Sequence, residues 1–384
     1  MRPERGYLKF AVPYFDRREL KAVNRVLLSG WWSRGKVTEE FEQSFARYSG
    51  AKYAVALSSC TAALHLGLLA AGVGPGDEVI VSPMTFCSTV NSILHTGAVP
   101  VFADIDPETG CLDPEEAEKK ITPRTRAILP VHYGGALCRR DRFAALAREH
   151  RLFLLEDAAH AVGSRWEGEP LGAQGNFAFS FYATKNLAVG DGGMFTTCDP
   201  KLAARVRRLS LHGMDEGAWS RYEKGGSHRY DVTEPGFKCN MTDISAAIGL
   251  CQLQKLPWME RRREEIARCY DRIFAANSLL YPLGGREEGR SFHLYVVCLR
   301  PERLKVSRDE VCALLQEAGI GTSVHFRPVH EFSWYREHFP GVKMPQAEAL
   351  YRRCISLPIY PSMNREDAEY VGDALCRIAE KHAK

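Results

Sequence analysis

Between about residues 50 and 200 the chain alternates short apolar runs with stretches of helical period, and this alternation restricts the fold more than any other feature. Tyr53–Leu57, Glu78–Ser82, Val99–Ala103, Ala127–Val131, Leu152–Leu155, Phe177–Phe181 and Met194–Thr197 read as short strands. Several are apolar throughout, the pattern of a strand covered on both faces. Helical stretches separate them: Thr61–Ala71 aligns Leu64, Leu68 and Leu69, and Arg140–His150 is another. Strand, helix, strand at this spacing predicts an α/β fold with a doubly wound, mostly parallel sheet.

Two helices precede that region. Asp16–Ser29 aligns Leu20, Val23 and Leu27 and stops at Gly30; a second follows Thr38, with Phe41, Phe45 and Tyr48 in line. Beyond it, one helix is expected near Thr242 and a separate long one after Pro257. The texture then changes. Leu294–Leu299 and Ser323–Phe326 read as strands, Ser307–Glu310 is a capping box for a helix ending at Gly319, and Asn364 caps a last helix. The expected division is a large domain over residues 1–254 and a small α+β domain over 255–384.

A chain of 384 residues, 45% hydrophobic, buries enough surface to need no disulfide or metal, and none is expected. Its formal charge of +4 is mild, and no basic–aromatic tract points to nucleic acid. Glu260–Glu265 alternates in sign and reads as a solvated helix face. The 12 cysteines stand singly without a CxxC pair, and no run is apolar enough for an export signal or membrane span. A cytoplasmic protein is the expectation.

Within Asn176–Thr197, Lys185 lies just past an apolar strand and is followed by Gly190, Gly192 and Gly193. A lone lysine is ordinarily a surface charge. Small neighbours and glycines let a ligand approach closely, and a desolvated amine becomes nucleophilic, as a lysine that condenses with a carbonyl must be. A second feature is Leu152–Gly163, where a buried strand ends in Glu156 and Asp157. Such an acid can simply cap the next helix. At the carboxyl edge of an open sheet it can also hold the ring nitrogen of pyridoxal 5′-phosphate (PLP) in its protonated form. Alternation along a strand gives that role to Asp157 and turns Glu156 away. His160 is either a partly buried histidine or a contact to the cofactor ring or its 3-hydroxyl. Ser58-Ser59-Cys60-Thr61-Ala62 leads a strand into a helix, which is a common cap and also an anion site suited to a phosphate. Ser180 can add a hydroxyl there, and Phe86 can stack on a ring or pack in the core.

Together these segments resemble the DegT/StrS-type sugar aminotransferases, which share the fold-type I architecture of aspartate aminotransferase. The likeness runs from about Phe10 to the last helix, on Ser29–Lys36, Ser58–Leu64, Gly76–Ile80, Glu156–Gly163, Phe179–Gly193 and Pro235–Asp243. Within the family, the enzymes making UDP-4-amino-4-deoxy-L-arabinose and UDP-linked 4-amino-4,6-dideoxy sugars look particularly similar, on Ile121–Arg126, Pro130–Tyr133 and His325–Arg327. The resemblance implies that Lys185 carries PLP, Asp157 holds its ring nitrogen, and Phe86 and His160 sandwich the ring. It implies that Ser59, Cys60, Thr61, Ala62 and Ser180 form the phosphate site, with Asn240 reaching in from the second subunit of a homodimer. Trp31–Lys36, including Trp32, and His325–Arg327 would lie near a nucleotide-linked keto sugar. Arg34, Lys36, Arg229 and Lys238 are candidates for its diphosphate, and L-glutamate is the expected amino donor.

Two departures bear on the substrate. Phe86 stands where similar members often carry Trp. Tyr182 and Asp191 look more like the branch aminating dTDP-keto sugars at C3 or C4. Three rival functions are less well supported. A PLP-dependent sugar dehydratase of this family has histidine in place of Lys185. A non-catalytic sensor has no need of Lys185, Asp157 and the phosphate turn together. A nicotinamide dehydrogenase needs GxGxxG after a strand, and none is present.

Overall fold

The computed structural model describes residues 6–215, 230–284 and 289–384. Helices α1 (Arg17–Ser29) and α2 (Lys36–Ser49) come first. Then follow β1 (Tyr53–Leu57), α3 (Cys60–Ala70), β2 (Glu78–Val81), α4 (Cys87–Leu94), β3 (Val99–Phe102), α5 (Pro114–Glu118), β4 (Thr125–Leu129) and α6 (Arg140–Glu149). A broken strand supplies β5 (Phe153–Leu154) and β6 (Glu156–Asp157). A small hairpin, β7 (Arg165–Trp166) and β8 (Glu169–Pro170), leads to β9 (Phe177–Ser180), β10 (Gly193–Thr197) and α7 (Pro200–Leu209).

The broken strand joins two half-sheets. On one side β3, β2, β4 and β5 are parallel; on the other β6 pairs parallel with β9, while β10 runs antiparallel between β9 and β1. Backbone bonds from Leu155 to Ile128 and from Glu156 to Asn176 hand the ladder from one half to the other. The sheet is therefore mostly parallel, as the apolar runs predict. Alternation decides what each face buries. Val55, Leu57, Ala178 and Phe195 pack toward α3, α4 and α7. Ala54, Ala56, Phe177 and Phe179 pack toward Phe41 and Phe45 of α2, with Phe45 and Phe179 rings 5.2 Å apart.

The helix predicted near Thr242 and the one predicted after Pro257 are a single helix, α8 (Asp243–Phe274), which passes through Pro257 unbroken. A proline inside a helix removes one backbone bond and costs about 3 kcal/mol. Burial on both sides of it, by Gly249, Gln252, Leu256, Met259 and Arg263, offsets that loss. Residue 255, the expected domain boundary, lies inside this helix. Its first half packs on α1 and α2, and its second half enters the smaller core with Ile266, Tyr270 and Phe274. Gln252 and Lys255 fix it to α1 through Glu19, the residue that also closes the capping box with Asp16.

The smaller layer is an antiparallel sheet of β11 (Leu280–Pro282), β12 (Tyr295–Leu299) and β13 (Cys354–Leu357), with β12 central. Helices α9 (Arg308–Glu317) and α12 (Arg365–Lys381) pack on it, whereas α10 (Ser333–His338) and α11 (Pro345–Tyr351), between them in sequence, join the larger core through Tyr335, Ala347 and Leu350. The capping box at Ser307 and the cap at Asn364 form as the sequence predicts, and Asp367 completes a box at the second. The predicted strand at Ser323–Phe326 does not: it makes only an isolated bridge, Ser323 to Ser356. No helix among the described residues is long and apolar enough to cross a membrane.

Candidate active site

The parallel strands deliver their carboxyl ends to one edge of the sheet, the edge where open α/β sheets bind ligands. There a cleft of about 720 Å³ is lined by Ser59, Cys60, Thr61, Phe86, Asp157, His160, Ser180, Tyr182, Lys185 and His325. All ten are residues that the sequence singled out, brought from five separate segments.

Asp157, at the end of β6, is buried on the cleft floor (3% exposed). Its Oδ1 accepts the Ala159 N–H at 3.0 Å and its Oδ2 accepts the Thr89 hydroxyl at 2.8 Å. Burial pushes this carboxyl above its ordinary value, against the pull of those donors and of Lys185. Glu156 points to the opposite face, as strand alternation predicts, where Arg140 binds it at 2.8 and 3.0 Å and His132 lies at 3.2 Å.

Lys185 sits in the loop after β9, its N–H donating to the Tyr182 carbonyl at 2.9 Å. It is half-buried at the cleft wall. Removal from water brings its ammonium down to about 8, with Cys60 and Asp157 opposing the shift. About a tenth is therefore the neutral, nucleophilic amine at pH 7, far more than an ordinary lysine supplies.

At the end of β1 the Ser59 hydroxyl caps α3 by accepting the Ala62 N–H at 3.1 Å. The first-turn N–H groups of a helix have no partner within it, so those beside Thr61 face the cleft as donors. Gly193 of β10 crosses this turn so closely that a β-carbon on it would lie 2.3 Å from the Ser59 carbonyl carbon. A side chain there would displace the turn. Ala62 itself is buried in α3 and can contribute only backbone.

His160 is buried, and its Nδ1 accepts the Gly134 N–H at 3.2 Å, which leaves the proton on Nε2. Burial, then Lys185 and His325, hold it well below the usual imidazolium range. Its ring packs on His293 at 4.4 Å and lies nearly parallel to Phe326 at 5.7 Å. The sandwich expected of His160 therefore has competition from protein, and its N–H edge is the free feature. Phe86 is 61% exposed at the cleft mouth, open for stacking.

The residues fit PLP. A buried carboxylate, a partly neutral lysine, a neutral imidazole donor and a helix N-terminus line one cleft, matching its ring nitrogen, aldehyde, 3-hydroxyl and phosphate.

Several expected substrate contacts stand elsewhere. Arg34 is buried and bound to Glu42 at 3.1 Å, and Arg207 shares that carboxylate at 2.8 Å. Trp32 donates to the Leu27 carbonyl, and Lys36 is exposed on the first turn of α2. Arg327 binds the Glu331 carbonyl and covers the Phe332 ring. Lys238 and Asn240 bind each other at 2.6 Å beside β1, outside the cleft of their own chain. Arg229 lies outside the described residues. The structure adds residues that the sequence did not single out, Phe10, Thr85, Thr89 and His293, and brings in Phe326 of the expected His325–Arg327 segment. His293 stands just before the predicted strand Leu294–Leu299, and only that adjacency could have drawn attention to it.

A sequence profile of the DegT/DnrJ/EryC1/StrS aminotransferase family matches residues 13–376. The spore coat polysaccharide biosynthesis protein SpsC of Bacillus subtilis is 49% identical over 380 residues, covering 97% of each chain. Spr1654 of Streptococcus pneumoniae, solved in PLP and PMP forms, is 33% identical; its PMP form has a TM-score of 0.90 and covers 98% of each chain. DesI, solved in the presence of its TDP-sugar product, is 33% identical with a TM-score of 0.88, covering 98% of this chain and 93% of that one.

Proposed function

The chain belongs to the DegT/DnrJ/EryC1/StrS aminotransferase family and is a PLP-dependent sugar aminotransferase, and from that premise we propose that it moves an amino group from L-glutamate to C4 of a UDP-linked 4-keto sugar. The observation that carries the reading is the convergence of Lys185, Asp157 and the α3 N-terminus on one cleft.

When bound, PLP supplies an electron sink that stabilises negative charge on the donor's α carbon and on the sugar carbon. The protein's part is assigned as follows. The amides of Cys60 and Thr61, with the Ser59, Thr61 and Ser180 hydroxyls, would hold the phosphate. Asp157 would hold the ring nitrogen, and the His160 Nε2–H would hold the 3-hydroxyl oxygen. Phe86 would cover the ring. Lys185 would anchor the cofactor, and its amine, brought to about 8, would move the proton at the reacting carbon. Tyr182, His293 and His325 would face the sugar. Lys36 and Lys238 are exposed cations for the diphosphate, whereas Arg34 is held by Glu42.

A homodimer is part of this reading. Phe15, Leu20 and Leu27 are exposed along a groove that also contains Ala183 and Val189 of the Lys185 loop. A second copy covering it would bring its own Asn240 to the cofactor phosphate. The likeness to a spore coat polysaccharide protein supports a role in supplying an amino sugar to a surface glycan. One observation favours a TDP-linked keto sugar instead: Tyr182 and Asp191 both line the cleft, and DesI was solved with a TDP-sugar product.

The test is spectroscopic. Purified protein shows the visible absorption of lysine-bound PLP, and L-glutamate bleaches it; Lys185→Ala never develops it. Keto sugars linked to UDP or TDP, with the ketone at C3 or C4, are then offered to the bleached enzyme. Restoration of the band by UDP-4-keto sugars first supports the proposal, and restoration only by a TDP sugar replaces it with the second reading.

A further inference from the structure

Asp157 must stay ionised in order to hold a protonated ring nitrogen, yet it sits where burial works against its charge. Its carboxylate has two strong contacts. Oδ1 takes the Ala159 N–H at 3.0 Å, which comes from its own turn and would accompany an acid at this position whatever its neighbours. Oδ2 takes the Thr89 hydroxyl at 2.8 Å, which comes from α4, a different part of the chain. Cys60 Sγ is 4.0 Å from Oδ1 but 3.5 Å from the Ala178 carbonyl, so its weak proton goes to the carbonyl.

Behind Thr89 stands Thr85, one helical turn earlier in sequence, with the two hydroxyl oxygens 2.7 Å apart. Both residues are almost fully buried, at 1% and 2% exposure. Proton count fixes the direction. An ionised carboxylate only accepts, so the Thr89 proton points to Oδ2, and the 2.7 Å contact can form only if Thr85 donates to Thr89. Two hydroxyls in series then polarise toward one carboxylate, each strengthening the next bond.

We propose that Thr85 and Thr89 form a hydroxyl relay that holds Asp157 ionised and oriented toward the cofactor ring. Thr89 is a positioning residue: it acts through Asp157. The relay explains why two small hydroxyl side chains occupy the buried turn between β2 and α4 and the first turn of α4, where valine would fill the same volume. The inference rests on the assignment of Asp157 to the ring nitrogen. The titratable groups whose charge reaches Asp157 are Lys185 from the loop after β9 and Cys60 from α3, and, from the Glu156 side of the strand, His132 of the segment after β4. All three remain in the variants below, so a change in titration reports the relay.

The measurements are the PLP dissociation constant of the cofactor-free protein and the pH midpoint of the visible band in the loaded protein. Thr89→Val keeps the shape and removes the hydroxyl. It should weaken PLP binding about tenfold, the scale of one hydrogen bond to a buried charge. It should also raise the band's midpoint, because a ring that keeps less positive charge leaves the attached lysine nitrogen more basic. Thr89→Ser should restore both, and Thr85→Val should shift both less, in the same direction. A Thr89→Val protein with wild-type affinity and midpoint overturns the proposal. So does a Thr89→Ser protein as impaired as Thr89→Val, since the side chain would then act by packing. If Thr89→Val does not fold, Thr85→Val decides alone, and an unmoved midpoint is fatal. Asp157→Asn separates the two levels: intact PLP binding in that variant sinks the assignment of Asp157 itself, whereas its loss beside a silent Thr89→Val sinks only the relay.

Discussion

Glu156 and Asp157 are consecutive, both acidic and both buried, and they stand on opposite faces of one strand in opposite chemical company. On the Glu156 face the charge is neutralised: burial would push the carboxyl up, but His132 and Arg140 together hold it below its ordinary range. On the Asp157 face no arginine among the described residues is in contact; the amide and hydroxyl donors and Lys185 only partly offset burial, and the carboxyl stays raised. A charge matched within the protein is a structural tie. A charge left incompletely matched has the means to bind a cation that arrives from outside, and a protonated pyridine ring is such a cation.

The comparison would break first in catalysis. Asp157→Asn should slow the half-reaction with L-glutamate by a hundredfold or more, on the order of the effects seen when one electrostatic partner of a transition state is removed. Glu156→Gln should leave the rate per folded molecule within about twofold. Stopped-flow bleaching of the visible band measures both, and equal losses would erase the distinction between the two faces.

Stability should reverse the ranking. Removing one partner of a buried ion pair leaves the other charge stranded, so Glu156→Gln should cost about 3 kcal/mol in urea unfolding of the cofactor-free protein. Asp157→Asn should cost little or gain. The pH dependence follows from the two directions. Glu156 is depressed on folding, so its contribution is present above its unfolded value, ordinarily about 4.3, and disappears as pH falls through the folded one. Asp157 is raised, so its ionisation opposes folding and protonation relieves it. The stability gap between Glu156→Gln and wild type should therefore narrow as pH drops below about 4.

The smallest effect concerns Lys185. Its ammonium is depressed to about 8, so between there and the unfolded value, near 10.4, the unfolded chain binds more protons. Stability of the cofactor-free protein then rises with pH across that window. Lys185→Met should raise Tm modestly at pH 7 and by progressively less toward pH 10. An unchanged Tm at pH 7 would place the amine in ordinary solvent.

Which face each acid takes was readable from the sequence, because strand alternation leaves no other choice. Lys185, Asp157 and the Ser59–Thr61 turn were readable for a related reason: each follows an apolar strand, so topology alone carries them to the same edge. The opposite wall was not. Ser323–Phe326 has the composition of a strand but makes one bridge and lines the cleft, with Tyr133 donating to the His325 carbonyl. Its conformation is set by contacts about 190 residues away, which no local pattern records. Arg34 misled for the same reason. As a cation in the Trp31–Lys36 segment it is a candidate for the diphosphate, and only packing shows that Glu42 holds it. Pro257 misled in the other direction, since its local signal to stop a helix lost to burial on both sides.

The unbroken helix at Pro257 has a mechanical consequence. At 32 residues it spans about 48 Å as one body. At its start Asp243 receives the Gly35 and Thr38 N–H groups at 2.7 and 3.0 Å, and further along Arg263 grips the Phe292 and Ile359 carbonyls at 3.3 and 2.7 Å. The loop before α2 and the wall carrying His293 are thus bolted to a common beam. Neither can swing toward the cleft as an independent flap, so any closure over a substrate must come from segments that the beam does not hold.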